Sequence, residues 1–127
     1  MKRTLILTVS LVALAALAVA APAVQAKGGP GTRIALKSAA AFPGASGKAK
    51  FQDEGQRELE IEVEHVRRLA GKRVNLFVNS TKVGSARVSR LGAAQVNRRG
   101  AGFPAINAGT RVKVKTAGAK LIVSGQF

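Results

Sequence analysis

The chain has 127 residues, with 21 Lys or Arg, six Asp or Glu and one His, for a formal net charge of +15. It has no cysteine, tryptophan or tyrosine, which excludes disulfide staples, thiol catalysis and most zinc sites. All six acids lie between Asp53 and Glu64, and from His65 to Phe127 there are thirteen Lys or Arg and no acid; such a field attracts polyanions and repels cations.

The N-terminus reads as an export signal. Lys2 and Arg3 form a positive start, Leu5 to Ala20 a mostly apolar run of about 16 residues, and Val24-Gln25-Ala26 a small-residue cleavage site. The run falls short of the roughly 20 residues a transmembrane helix needs. Cleavage after Ala26 is expected, with an uncleaved anchor as the alternative. Residues 1–26 are thus read as a signal peptide, 27–31 as a flexible leader and 32–127 as one small domain. Without Lys2 and Arg3 the net charge falls from +15 to +13. For a protein exported to the periplasm, envelope or exterior, the available polyanions are envelope phosphates, acidic glycans, anionic lipid surfaces and released nucleic acid.

After the leader the chain alternates polar and apolar residues in short runs. Arg33 to Lys37 alternates; Pro43-Gly44 marks a turn; Lys48 to Phe51 alternates again; Gln52 to Gln56 is a polar turn. Glu58 to Glu64 has the cleanest period of two, with Leu59, Ile61 and Val63 on one face and four glutamates on the other. A bend is expected at Ala70-Gly71. Val74, Leu76 and Val78 then point one way and Asn75, Phe77 and Asn79 the other. Asn79 to Lys82 reads as a hairpin turn into a strand from Val83 to Val88, with a possible bulge at Gly84-Ser85. Ala94 to Asn97 is a weak strand, and Arg98 to Gly109 is a long loop or an edge segment kept from pairing by Pro104. Arg111 to Lys115 alternates strictly, Ala117 to Ala119 turns, and Lys120 to Phe127 closes the domain with Leu121, Val123 and Phe127 inward. The fold class is all-β: an antiparallel β-sandwich or small barrel of seven to eight short strands, preceded by the signal-peptide helix.

The segment RELEIEVEHVRR, Arg57 to Arg68, concentrates carboxylates around the single histidine, so it is the first place to look for chemistry. Glu60 and Glu62 stand about 6.7 Å apart along a strand, a spacing that overlaps that of inverting glycosidases, roughly 6.5–9.5 Å. Yet both point the same way and cannot flank a sugar. Glu62-Val63-Glu64-His65 contains the Glu-x-x-His spacing of helical dimetal sites, but on a strand Glu64 and His65 face opposite sides and no second histidine exists. Weak calcium binding by Asp53 and Glu54 is the most that remains. No serine sits in a Gly-x-Ser-x-Gly elbow, and Gly44 to Lys48 fails the phosphate-loop spacing. No catalytic residue, metal ligand or cofactor is therefore expected.

A row of four glutamates repels itself unless cations lie opposite, since cross-strand ion pairs contribute roughly 0.2–1 kcal/mol each. Glu58, Glu60, Glu62 and Glu64 are accordingly expected beside a basic strand. Arg111, Lys113 and Lys115 form a matching row, and Lys48, Lys50 and Arg87 are further candidates. The cations proposed to meet an anionic partner are Arg67, Arg68, Lys72, Arg73, Arg87, Arg90, Arg98 and Arg99. Base-stacking aromatics interleaved with basic residues are nearly absent, with only Phe51, Phe77 and Phe103 available, so no specific nucleic-acid reader is expected.

The segments GKAKF, RELEIEVEHV, LAGKRVNLFVN and KVGSARV, with the closing GTRVKVKT and LIVSGQF, together resemble small exported bacterial β-domains with no assigned activity. Leu69 to Asn79, followed by Lys82-Val83-Gly84, carries most of that resemblance. Gly47 to Phe51 is also similar to the opening of the secreted chordin-type domain, whose characteristic histidines are absent here, so no metal-linked role is carried over. The resemblance implies a fold and a compartment. Together with the charge it suggests a non-catalytic binding or structural protein that associates with anionic polymers or surfaces. The alternative is a scaffold or adhesion module that recruits a protein partner through an exposed sheet edge.

Overall fold

The computed structural model describes residues 31–127; the expected signal peptide and the leader up to residue 30 lie outside the described residues. Alternation sets the strands: β1 (Thr32–Ser38), β2 (Ser46–Gln52), β3 (Glu58–Glu64), β4 (Arg73–Val78), β5 (Thr81–Arg87), β6 (Ala94–Arg99), β7 (Arg111–Thr116) and β8 (Leu121–Gln126), with one 3-10 turn at Arg67–Leu69. All pairings are antiparallel. They form one eight-stranded sheet in the order β5-β4-β7-β8-β1-β2-β3-β6, which curls into a nearly closed barrel. Of the two architectures expected, the single curled sheet is the one observed.

One inward side chain from every second position fills the barrel. Leu59, Ile61 and Val63 of β3, Val74, Leu76 and Val78 of β4, and Val112 and Val114 of β7 are all at most 1% exposed. Leu36, Ala49, Phe51, Val83 and Ala94 complete this core from the other strands. β8 departs from the expected alternation. Val114 lies opposite Val123 and Lys115 opposite Leu121, so Ile122 is an extra residue on β8. A bulge turns two successive side chains to one side. Ile122 and Val123 are both fully buried, and Leu121, expected inward, is only half-buried.

The sheet has two weak lines. Between β1 and β8 only Lys37–Ser124 and Ser38–Val123 are paired, extended by a 2.9 Å bond from the Ala39 amide to the Ile122 carbonyl. There the strands cross so closely that a Cβ on Gly125 would stand 2.7 Å from the Ala35 carbonyl oxygen. The second line is the seam between the edge strands β5 and β6, which close the barrel without a ladder. A Cβ on Gly84 of β5 would meet a Val96 methyl of β6 at 2.9 Å. The Arg98 guanidinium reaches across and donates a 2.8 Å hydrogen bond to the Val83 carbonyl. The sheet is thus two four-stranded halves, β1-β2-β3-β6 and β5-β4-β7-β8, joined narrowly on one side and by side chains on the other.

The β4–β5 turn is two residues long, Asn79 and Ser80, because Val78 pairs with Thr81. Asn79 takes a φ of 55°, which Asn tolerates better than most residues, and its side chain accepts a 3.0 Å hydrogen bond from the Arg111 amide. Strand β6 runs to Arg99, two residues beyond the expected strand, because all of Ala94 to Arg99 finds partners on β3. The loop that follows is tied down by Arg57. Its guanidinium donates to the carbonyls of Gly100, Phe103 and Pro104 at 3.2, 3.2 and 2.8 Å and lies 4.1 Å from the Phe103 ring centre. Phe103 in turn meets Phe51 edge-on at 6.2 Å. Phe51 and Phe103 are buried core residues.

Candidate anion-binding face

The four glutamates stand on the outer face of β3, between β2 and β6. Lys48 is opposite Glu62 and Lys50 opposite Glu60, while Arg99, Asn97 and Gln95 of β6 are opposite Glu58, Glu60 and Glu62. Lys48 Nζ lies 3.6 Å from Glu62 Oε1, and Arg99 Nε 3.6 Å from Glu58 Oε2. Asn97 donates to Glu58 at 2.9 Å, and Gln95 donates to Glu60. The row Arg111, Lys113 and Lys115 is not beside them. It lies on β7, between β4 and β8. That expectation is corrected: the period of two matched, but β6 takes the place beside β3 and leaves β7 to β4.

His65 follows β3 in a left-handed conformation, φ 64°. Its Nδ1 is 2.9 Å from Ser46 Oγ at the exposed start of β2. Among the described residues, no carboxylate comes within ion-pair distance of this imidazole, and no three of His, Asp and Glu gather closely enough to hold a metal ion.

The outer face of β5-β4-β7-β8 is built differently. Its strands carry Lys82 and Arg87 (β5), Arg73 (β4), and Arg111, Lys113 and Lys115 (β7), and no acid. Register brings them together. Arg73 is opposite Arg87; Asn75 is flanked by Ser85 and Lys115; Phe77 is flanked by Lys82 and Lys113. Alternate cations on β7 are about 6.7 Å apart, so the row spans about 13 Å. Among the described residues, the partners of these cations are neutral. Arg87 donates to the Gly71 carbonyl at 2.7 Å and Arg111 to Gln126 Oε1 at 3.1 Å. Arg73 Nη1 lies 3.5 Å from Ser85 Oγ, and Lys115 Nζ stands 5.1 Å from the centre of the half-exposed Phe77 ring. These contacts aim the cations without cancelling their charge.

The eight cations proposed from the sequence do not form one surface. Arg73 and Arg87 belong to the face just described, with Lys72 beside it. Arg67 and Arg68 lie on the 3-10 turn and Arg90 in the β5–β6 connection, at the barrel's end. Arg68 is spent within the protein: it donates to the Ala41 carbonyl and covers the Phe42 ring at 4.4 Å. Arg98 and Arg99 are on β6, where Arg98 closes the seam and Arg99 pairs with Glu58. Comparisons of the chain with protein-family models, curated proteins and solved structures return no match.

Proposed function

We propose that this protein binds anionic polymers or anionic surfaces through the outer face of β5-β4-β7-β8, in a non-catalytic role. One observation carries this reading. Six cations share a face with no acid, and the groups that orient them are neutral. A polyanion laid along β7 meets Arg111, Lys113 and Lys115 in a row, with Lys82 and Arg73 to one side. Phe77 offers an apolar contact among them, so the face suits a chain with both charge and hydrocarbon. The opposite half offers less, because its outer face carries four glutamates, and Lys48 and Arg99 lie 3.6 Å from two of them, Glu62 and Glu58.

Salt tests the reading. About five ionic contacts give an affinity that falls roughly 10²-fold between about 50 and about 200 mM salt. The protein should be held by a sulfated-glycan or polyphosphate column at the lower salt and released by the higher. Flow-through at low salt, or retention indifferent to salt, overturns the reading. Salt-indifferent capture of a protein partner would favour edge pairing instead, for which β5 and β6 have little to offer because they face one another across the seam.

A further inference from the structure

A groove of about 560 Å³ opens at the end of the barrel where β4 begins and β7 ends. Three separate connections build it: Phe42 from the β1–β2 loop, Leu69 from the 3-10 turn, and Ala117-Gly118 from the β7–β8 turn. These give an apolar floor. Lys72, Arg73 and Lys120 stand around it, and no carboxylate lines it. The Arg68 guanidinium lies over the Phe42 ring, 4.4 Å from its centre. The side chains of Lys72 and Lys120 are exposed and have no hydrogen-bond or ion-pair partner among the described residues.

The volume falls in the range of small-molecule sites, roughly 300–1,000 Å³. An apolar floor alone would accept a neutral ligand, and three cations alone would accept a bare phosphate. Both together select a molecule that has both parts. We infer that the groove binds a single-chain amphiphile with a phosphate head, its hydrocarbon chain on Phe42, Leu69 and Ala117 and its head against Lys72, Arg73 and Lys120. A phosphate monoester suits the rim better than a carboxylate, because it carries about −1.5 to −2 charge at neutral pH and three acceptor oxygens for three donors. The groove shares Arg73 with the outer face but is otherwise separate, so this site goes beyond the polyanion reading and does not depend on it.

The test is a titration of the isotope-labelled protein with dodecyl phosphate below its micellar concentration, followed by amide shifts. Saturable one-to-one shifts are expected at Leu69, Ala117 and Gly118. Inorganic phosphate, which lacks the chain, and dodecyl maltoside, which lacks the charge, should each bind at least about tenfold more weakly. Gly118→Asp places an acid in the groove where a Cβ meets only Thr116 Oγ1, at 3.9 Å; it should keep the fold and weaken dodecyl phosphate binding about tenfold. Arg33→Glu, exposed on β1 and part of neither the groove nor the outer face of β5-β4-β7-β8, should leave that affinity unchanged. Equal binding of inorganic phosphate or of the maltoside, an unaffected Gly118→Asp protein, an Arg33→Glu protein that loses the ligand, or the absence of saturable shifts would each overturn the inference.

Discussion

The two halves of the barrel spend their positive charge in opposite ways. On β1-β2-β3-β6, four glutamates are flanked by Lys48, Lys50 and Arg99, so acids and cations alternate across neighbouring strands. On β5-β4-β7-β8 the same alternation places cations outward with only carbonyls, amide or hydroxyl oxygens and one aromatic ring beside them. Net charge alone does not distinguish these surfaces. What differs is the strand that lies alongside, and that makes one half self-contained and leaves the other with unanswered charge.

The largest test removes the contrast. Arg111→Glu, Lys113→Glu and Lys115→Glu together should lower polyanion affinity by about 10²–10³-fold at low salt, read by retention or titration, with a normal far-ultraviolet spectrum. The next disrupts the glutamate-bearing half from inside. A Cβ on Gly47 would stand 2.4 Å from the Glu62 carbonyl oxygen, so Gly47→Ala should force β2 from β3 and cost about 3 kcal/mol in denaturant unfolding. Arg57→Met removes three hydrogen bonds to the loop after β6. About 2 kcal/mol should be lost, with faster amide exchange from Gly100 to Thr110. The smallest effect belongs to the exposed pair. Glu62→Gln should cost less than about 1 kcal/mol and slightly raise polyanion affinity, which would show that this half is kept out of binding by its own acids.

Much of the architecture was legible because a half-buried strand writes its face into its sequence. Leu59, Ile61 and Val63 mark β3 unaided, and Asn79 to Lys82 marks the hairpin, although pairing begins at Thr81 and shortens the turn to Asn79-Ser80. Neighbours are another matter. Lys48/Lys50 and Arg111/Lys113/Lys115 have the same spacing, and nothing local says which lies beside the glutamates; that depends on β6 inserting next to β3 and β7 next to β4. The expected roles of Arg99 and of the β7 row were therefore exchanged. Arg57 and Arg98 gave no signal at all. Each reads as one more surface cation, and only the fold brings a row of carbonyls or an open seam to its guanidinium. The bulge at Ile122 was hidden for a similar reason, since Leu121, Ile122 and Val123 are all apolar and fit either phase. The groove is assembled from three connections distant in sequence, so its residues carry no motif.

The narrow join between the halves also bears on how the chain reaches this state. The polypeptide passes from one half to the other and back: β1 to β3 in the first, β4 and β5 in the second, β6 in the first again, β7 and β8 in the second. Neither half is complete until the later strand arrives, because β3 waits for β6 and β4 waits for β7. Such non-local pairing places folding in the millisecond-to-second range. Until β7 arrives, Val74, Leu76 and Val78 sit on a hairpin with one side unpaired. The surplus of like charge along the same strands acts in that interval, because chains of like charge repel one another while their strands are unpaired.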